Sequence, residues 1–246
     1  PALYNGALTP PVLRNPFRTA KPMATKHAKS HKRFYGRGRE LKHDRRMSRS
    51  AGMPPGTLIH IGEQKVERPE ITVMRYNEHF FSEQRVEDLA AIDLHVTEDT
   101  VTWINIDGLH DVEVVRLLGE RFGIHPLVLE DVLNTNQRPK IDDYGAYLFI
   151  VARFFEIDDG NGQIGSDQVS LILGPNFVLS FQERPSGRFD PVRERLRQDR
   201  GQIRRLGADY LAYSLLDAIV DRYFTILENI GERTEELEDT MLERPK

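Results

Sequence analysis

From residue 57 onward, the apolar positions of this chain recur with two different periods. Short runs rich in β-branched and aromatic residues read as strands at 57–61, 71–76, 101–106, 140–143, 146–157, 169–173 and 177–181. Gly174-Pro175-Asn176 and the Asp, Asn and Gly cluster at 158–162 read as hairpin turns. A calcium loop at the second turn fails, because no Gly at the sixth position combines with a Glu at the twelfth. Helical spacing marks the other elements. Residues 82–90 suggest a short helix capped by Ser82. Val112, Val115, Leu118 and Phe122 define a helix over 111–122, with Gly123 as its C-cap. A two-turn helix opens at His125-Pro126, with Leu127, Leu129 (or Val128) and Leu133 as its apolar stripe, and must end near Asn134, because Arg138-Pro139 forces extended backbone. Asp190-Pro191 reads as N-cap and first helical residue of a basic helix. A long helix starts near Ala208. Together these predict an α/β fold, a mixed sheet sandwiched between helices in an α/β/α arrangement, followed by a long helix.

That last helix carries a heptad seam. Leu215, Ile219, Tyr223, Ile226, Ile230, Leu237 and Met241 recur at intervals of three, four or seven. Asp217, Asp221, Glu228, Glu232, Glu235 and Asp239 form a separate acidic stripe. The seam runs to the last residues with no clear stop, so we expect the chain to have been cut from a larger protein.

Charge divides the chain. Residues 1–55 hold thirteen Lys and Arg against two acids, whereas the remainder holds 36 acids against 21 bases. Residues 1–55 lack sustained periodicity and are expected to be a disordered basic tail. Such a tail favours RNA, an anionic lipid surface, or no partner at all as a solubilising arm. The boundaries follow: tail 1–55, α/β domain 56–200, helical segment 201–246. The acidic body suits cations and disfavours nucleic acid. There is no cysteine, which leaves oxygen or imidazole as metal donors. The longest uncharged run, 168–182, is too short to span a membrane, and the N-terminus shows no signal-peptide core.

Glu130 and Asp131 stand side by side on the outer part of the two-turn helix. Adjacent carboxylates repel unless a cation or donor compensates them, so they are either a solvated helix face or a hard-metal site. HExxH, P-loop and GxSxG signatures of hydrolases are absent from the sequence. Trp103 reads as core, His125 as a contact at a helix start, and Arg138 as the partner of a nearby carboxylate.

Several motifs then fall in order: Trp103-Ile104-Asn105-Ile106-Asp107-Gly108-Leu109, Phe122-Gly123-Ile124-His125-Pro126-Leu127-Val128-Leu129-Glu130-Asp131, Gln137-Arg138-Pro139-Lys140, Gln168-Val169-Ser170-Leu171-Ile172-Leu173, Phe181-Gln182-Glu183, and residues 208–217 with Val220-Asp221. Over residues 57–246 this resembles the N-terminal cytoplasmic domain of CorA-type divalent-cation transporters. The resemblance implies a homo-pentamer of the plasma (inner) membrane, with a long stalk helix leading to two C-terminal transmembrane helices beyond this chain. It implies a regulatory domain and no enzyme. In it, Mg2+ bound between neighbouring subunits holds a pore for magnesium, or for cobalt, closed. By motif, Glu130, Asp131 and Asp217 match the positions that bind this regulatory Mg2+, with Asp221 placed to assist through water. On its own the chain is expected to be monomeric or weakly associated. A zinc-transporting relative of the same fold and a soluble metal-dependent enzyme are the alternatives.

Overall fold

The computed structural model describes residues 52–92, 94–158 and 162–243. The basic tail, up to residue 51, lies outside the described residues. The inner strand β3 (Val101–Asp107) has every residue buried. Val101, Trp103, Ile104 and Ile106 mark this strand in the sequence, and Asp107-Gly108 stops it, but Thr102, Asn105 and Asp107 are buried with them because both faces are covered. The sheet has seven strands in the order β2-β1-β3-β7-β6-β5-β4, where β1 is Glu70–Tyr76, β2 Phe81–Val86, β4 Lys140–Asp143, β5 Leu148–Ile157, β6 Ile164–Leu173 and β7 Phe177–Gln182. It is mixed: β3 and β7 run parallel and the other neighbours antiparallel.

Alternation along each strand sorts the side chains into two cores. On one face Ile71, Val73, Ile104, Ile106, Phe149, Val151, Leu179 and Phe181 meet α1 (Val112–Phe122) and α2 (Pro126–Leu133). On the other Met74, Tyr76, Trp103, Ile150, Phe154 and Val178 meet α3 (Asp190–Arg197) and α4 (Ala208–Glu243). The expected α/β/α sandwich and its long final helix are present. Helix α1 starts where Asp111 Oδ1 accepts the Glu113 N–H at 3.0 Å and stops at Gly123, whose φ of +63° favours glycine. Gly119 allows α2 to approach, since a Cβ there would lie 2.2 Å from Leu129 Cδ1.

Four expectations fail locally. Residues 82–90 are not a helix: 81–86 form β2, an edge strand paired with β1, and only Leu89–Ala91 make a 3-10 turn. The Asn77 turn sets this hairpin, with Asn77 N–H to Phe80 O at 2.9 Å and Asn77 Oδ1 accepting the His79 N–H at 2.9 Å. Once the hairpin closes, the free edge of β1 outbids a weak helix pattern. Residues 57–61 form no strand; only Ile61 bridges to Asn134, at the end of α2. Helix α3 is capped by Phe189 rather than Asp190, with no side-chain cap hydrogen bond. In α2 it is Val128, Leu129, Val132 and Leu133 that are buried, while Leu127 points outward.

Candidate metal site

Local chemistry fixes α2, and with it Glu130 and Asp131. His125 is its N-cap, with Nδ1 accepting the Leu127 N–H at 3.2 Å, and Pro126 follows at the start of the helix. The His125 N–H in turn donates to Tyr147 Oη at 2.9 Å. At the other end Ile61 N–H reaches Leu133 O at 3.0 Å and Thr135 N–H reaches Ile61 O at 3.1 Å. Two motif glutamines bind this end to the sheet. Gln168 Nε2 donates to Asp131 O at 3.1 Å, and Gln168 Oε1 accepts the Gln137 N–H at 3.0 Å.

The two carboxylates sit half-buried at the margin of α2 in different environments. Among the described residues Glu130 Oε2 accepts one hydrogen bond, from the Gly56 N–H at 2.8 Å. Asp131 is already compensated: Gln137 Nε2 donates to Oδ1 at 2.6 Å and Lys140 Nζ to Oδ2 at 2.7 Å. Lys140 also meets Asp142 at 2.8 Å. Burial works against its charge, but the hydrogen bonds to Asp131 and Asp142 outweigh it and hold the ammonium pKa above the ordinary value. Arg138, expected to pair with a carboxylate, is exposed and forms no ion pair among the described residues.

Asp217 and Asp221 lie one turn apart on α4. They line a recess of about 560 Å³ with Phe154, Glu156, Arg188 and Arg222. Neither carboxylate is engaged by a side-chain hydrogen bond or ion pair among the described residues. Because α2 and α4 cover opposite faces of the sheet, the structure does not bring Glu130 and Asp131 together with Asp217 within one chain. Among the described residues no group of three or more His, Asp or Glu side chains could hold a metal ion. The donor set is nevertheless of the right kind: carboxylate oxygens, which suit Mg2+, divided between two separate surfaces.

A second, buried charge cluster joins residues far apart in the sequence. Lys65 Nζ donates to Asp167 Oδ1 at 2.6 Å and lies 2.7 Å from Glu183 Oε2. Asp167 Oδ2 also accepts from Arg184 Nε at 3.0 Å and Arg188 Nη2 at 2.9 Å. Burial would raise the Asp167 pKa, but these cations win and hold it at about 2. Charged residues directly after an apolar strand, Glu183-Arg184, were the available signal; their partners come from distant parts of the chain.

Residues 98–246 match the family model described as CorA-like Mg2+ transporter protein. The chain belongs to that family. Over 203 residues it is 49% identical to the cobalt/magnesium transport protein CorA of Thermotoga maritima, covering 82% of this chain and 58% of that protein. The chain thus spans little more than half the length of that CorA relative. Solved structures share the fold. Full-length CmaX superposes with a TM-score of 0.59 at 20% identity, covering 75% of this chain and 55% of CmaX. The soluble domain of CorA from Methanocaldococcus jannaschii does so with a TM-score of 0.52 at 19% identity, covering 69% of this chain and 64% of that domain. No helix among the described residues is long and apolar enough to cross a membrane.

Proposed function

We propose that this chain is the cytoplasmic Mg2+-sensing domain of a CorA-like transporter of magnesium, and of cobalt as a second cargo. In this reading five copies assemble around a pore at the plasma (inner) membrane. One observation supports it above the others: the carboxylates that match the family's sensor positions lie on opposite faces of the sheet. A single subunit cannot bring them together, but a head-to-tail ring sets one face of each subunit against the other face of the next. Glu130 and Asp131 of one subunit, with Asp217 of its neighbour, would then hold the regulatory ion, and Asp221 would act through water. Bound there, Mg2+ supplies positive charge between two acidic surfaces that otherwise repel.

The two α2 carboxylates differ in how they can respond. Glu130 can turn toward the neighbour at the loss of one backbone hydrogen bond among the described residues, that from Gly56. Asp131 must exchange Lys140 for the ion, so its share of the affinity is set by that competition. An interface occupied only in the closed state shifts the population toward that state in proportion to its differential affinity.

The test is protease protection of the full-length protein across a Mg2+ titration. Asp131→Ala combined with Asp217→Ala should move protection to higher Mg2+ and ease inhibition by internal Mg2+, leaving the ion selectivity of the pore unchanged. Wild-type protection in the double variant would reduce these carboxylates to surface charges.

A further inference from the structure

On the α3 face of the sheet, β3 presents Trp103, Asn105 and Asp107, and its parallel neighbour β7 presents Ser180 and Gln182 alongside. These side chains form a directed chain of hydrogen bonds. Trp103 Nε1 donates to Ser180 Oγ at 2.9 Å, and Ser180 Oγ donates to Asn105 Oδ1 at 2.7 Å. Gln182 Nε2 donates to Asn105 Oδ1 at 2.9 Å and to Asp107 Oδ1 at 2.7 Å. Asn105 Nδ2 donates to Asp107 Oδ2 at 2.8 Å. The polarity of the whole cluster therefore converges on one carboxylate, with its side chain only 9% exposed. Gln182 Oε1 is buried with no hydrogen-bond partner among the described residues, so the cluster holds an acceptor in need of a proton.

We infer that Asp107 is a proton-sensitive latch that holds α3 to the sheet through Arg193. The Arg193 guanidinium reaches from α3 to within 3.8 Å of Asp107 Oδ2, and it lies over the Trp103 ring at 5.6 Å. Its other nitrogen is bound to Asp190 on its own helix at 2.6 Å. Protonating Asp107 removes the attraction across the gap and leaves Arg193 to Asp190. The charges facing Asp107 are Arg193 on α3, Arg188 in the turn before it, and Glu70 on β1. Burial, reinforced by Glu70, pushes the carboxyl up to about 6 against the pull of Arg193, Asn105 and Arg188. Because this lies above the unfolded value, the charged carboxylate costs stability at neutral pH, and acidification through about 6 removes that cost together with the attraction to Arg193. Val192 and Leu196 of α3 pack in the same core as Leu211 and Leu215 of α4, so loosening α3 reaches the root of the helix that carries Asp217.

Trp103 is the chain's one tryptophan and sits inside the cluster, which makes its fluorescence the probe. Titrating the full chain from pH 7.5 to 5 should give a one-proton change in emission with a midpoint at about 6. Asp107→Asn should abolish it. Hydrogen exchange of the α3 amides, corrected for intrinsic rates and compared with α2, should quicken across the same transition only in the wild type. Arg193→Gln, which leaves the carboxyl in place, should move the midpoint to higher pH and serves if Asp107→Asn does not fold. Flat wild-type emission, a transition that survives Asp107→Asn, or an unmoved midpoint in Arg193→Gln would each overturn the latch.

Discussion

The two halves of α4 carry the same apolar periodicity and have opposite fates. In the first half Leu215 and Ile219 are 0% and 1% exposed, packed on Trp103, Phe154 and Val178. In the second half Leu237 and Met241 are 65% and 76% exposed. Tyr223 Oη still donates to Arg153 O, and Arg233 Nη1 still donates to Gly162 O at 2.9 Å. Beyond that arginine every described side chain of the helix is exposed. The difference teaches that a heptad seam states which side of a helix is apolar and says nothing about what covers it. Within one chain only the first half has a sheet to lie on.

The contrast is broken most severely from the buried side. Leu215→Ala removes a core side chain with no exposed surface and should cost about 2–5 kcal/mol in chemical denaturation, depending on how far the site collapses. A loss below about 1 kcal/mol would mean that the sheet does not anchor this half of the helix. Acid is the next lever. Asp167 binds Arg188, and the Arg188 guanidinium lies 3.9 Å from the centre of the Phe154 ring, beneath the buried half. With its pKa held at about 2, below the unfolded value, Asp167 contributes stability that is complete above about pH 4 and lost as pH falls through 2. The amount is about 2 kcal/mol, and Asp167→Asn should remove that part of the acid dependence in pH-resolved denaturation. The smallest effects belong to the exposed half. A Cβ on Gly231 would meet nothing within 4 Å, so Gly231→Ala should raise helix stability by about 0.5–1 kcal/mol. Leu237→Ala should stay within about 0.5 kcal/mol in the isolated chain. If Leu237→Ala proved as costly as Leu215→Ala, the second half would be covered in solution, and sedimentation would show whether by another copy.

The legible parts of the fold were those with local causes. Asp111 and Gly123 bracket α1, His125-Pro126 opens α2, and Asn134 closes it, each through bonds within a few residues. The candidate site was legible as residue types. Glu130, Asp131 and Asp217 could be singled out by motif, but their placement on opposite faces could not. Nor could the partners that distinguish Asp131 from Glu130. Lys140 is bonded to Asp131 because β4 pairs with β5 beside α2, a contact that exists only once the sheet is assembled. Residues 82–86 were misread because their preference was weak and the open edge of β1 decided the matter.

What the sequence by itself determined was therefore the inventory: the strands buried on both faces, the capped helices, the seam of α4, the acidic body and its carboxylate pairs, and the family. Tertiary structure alone decided which apolar faces found partners, which charges were buried together, and how the carboxylates were divided. Caps and periodicity draw on interactions between neighbours in the chain, which any short segment can express. Edge pairing and the burial of Lys65, Asp167 and Asp107 depend on groups far apart in sequence, whose interactions gain strength only after folding has excluded water from between them.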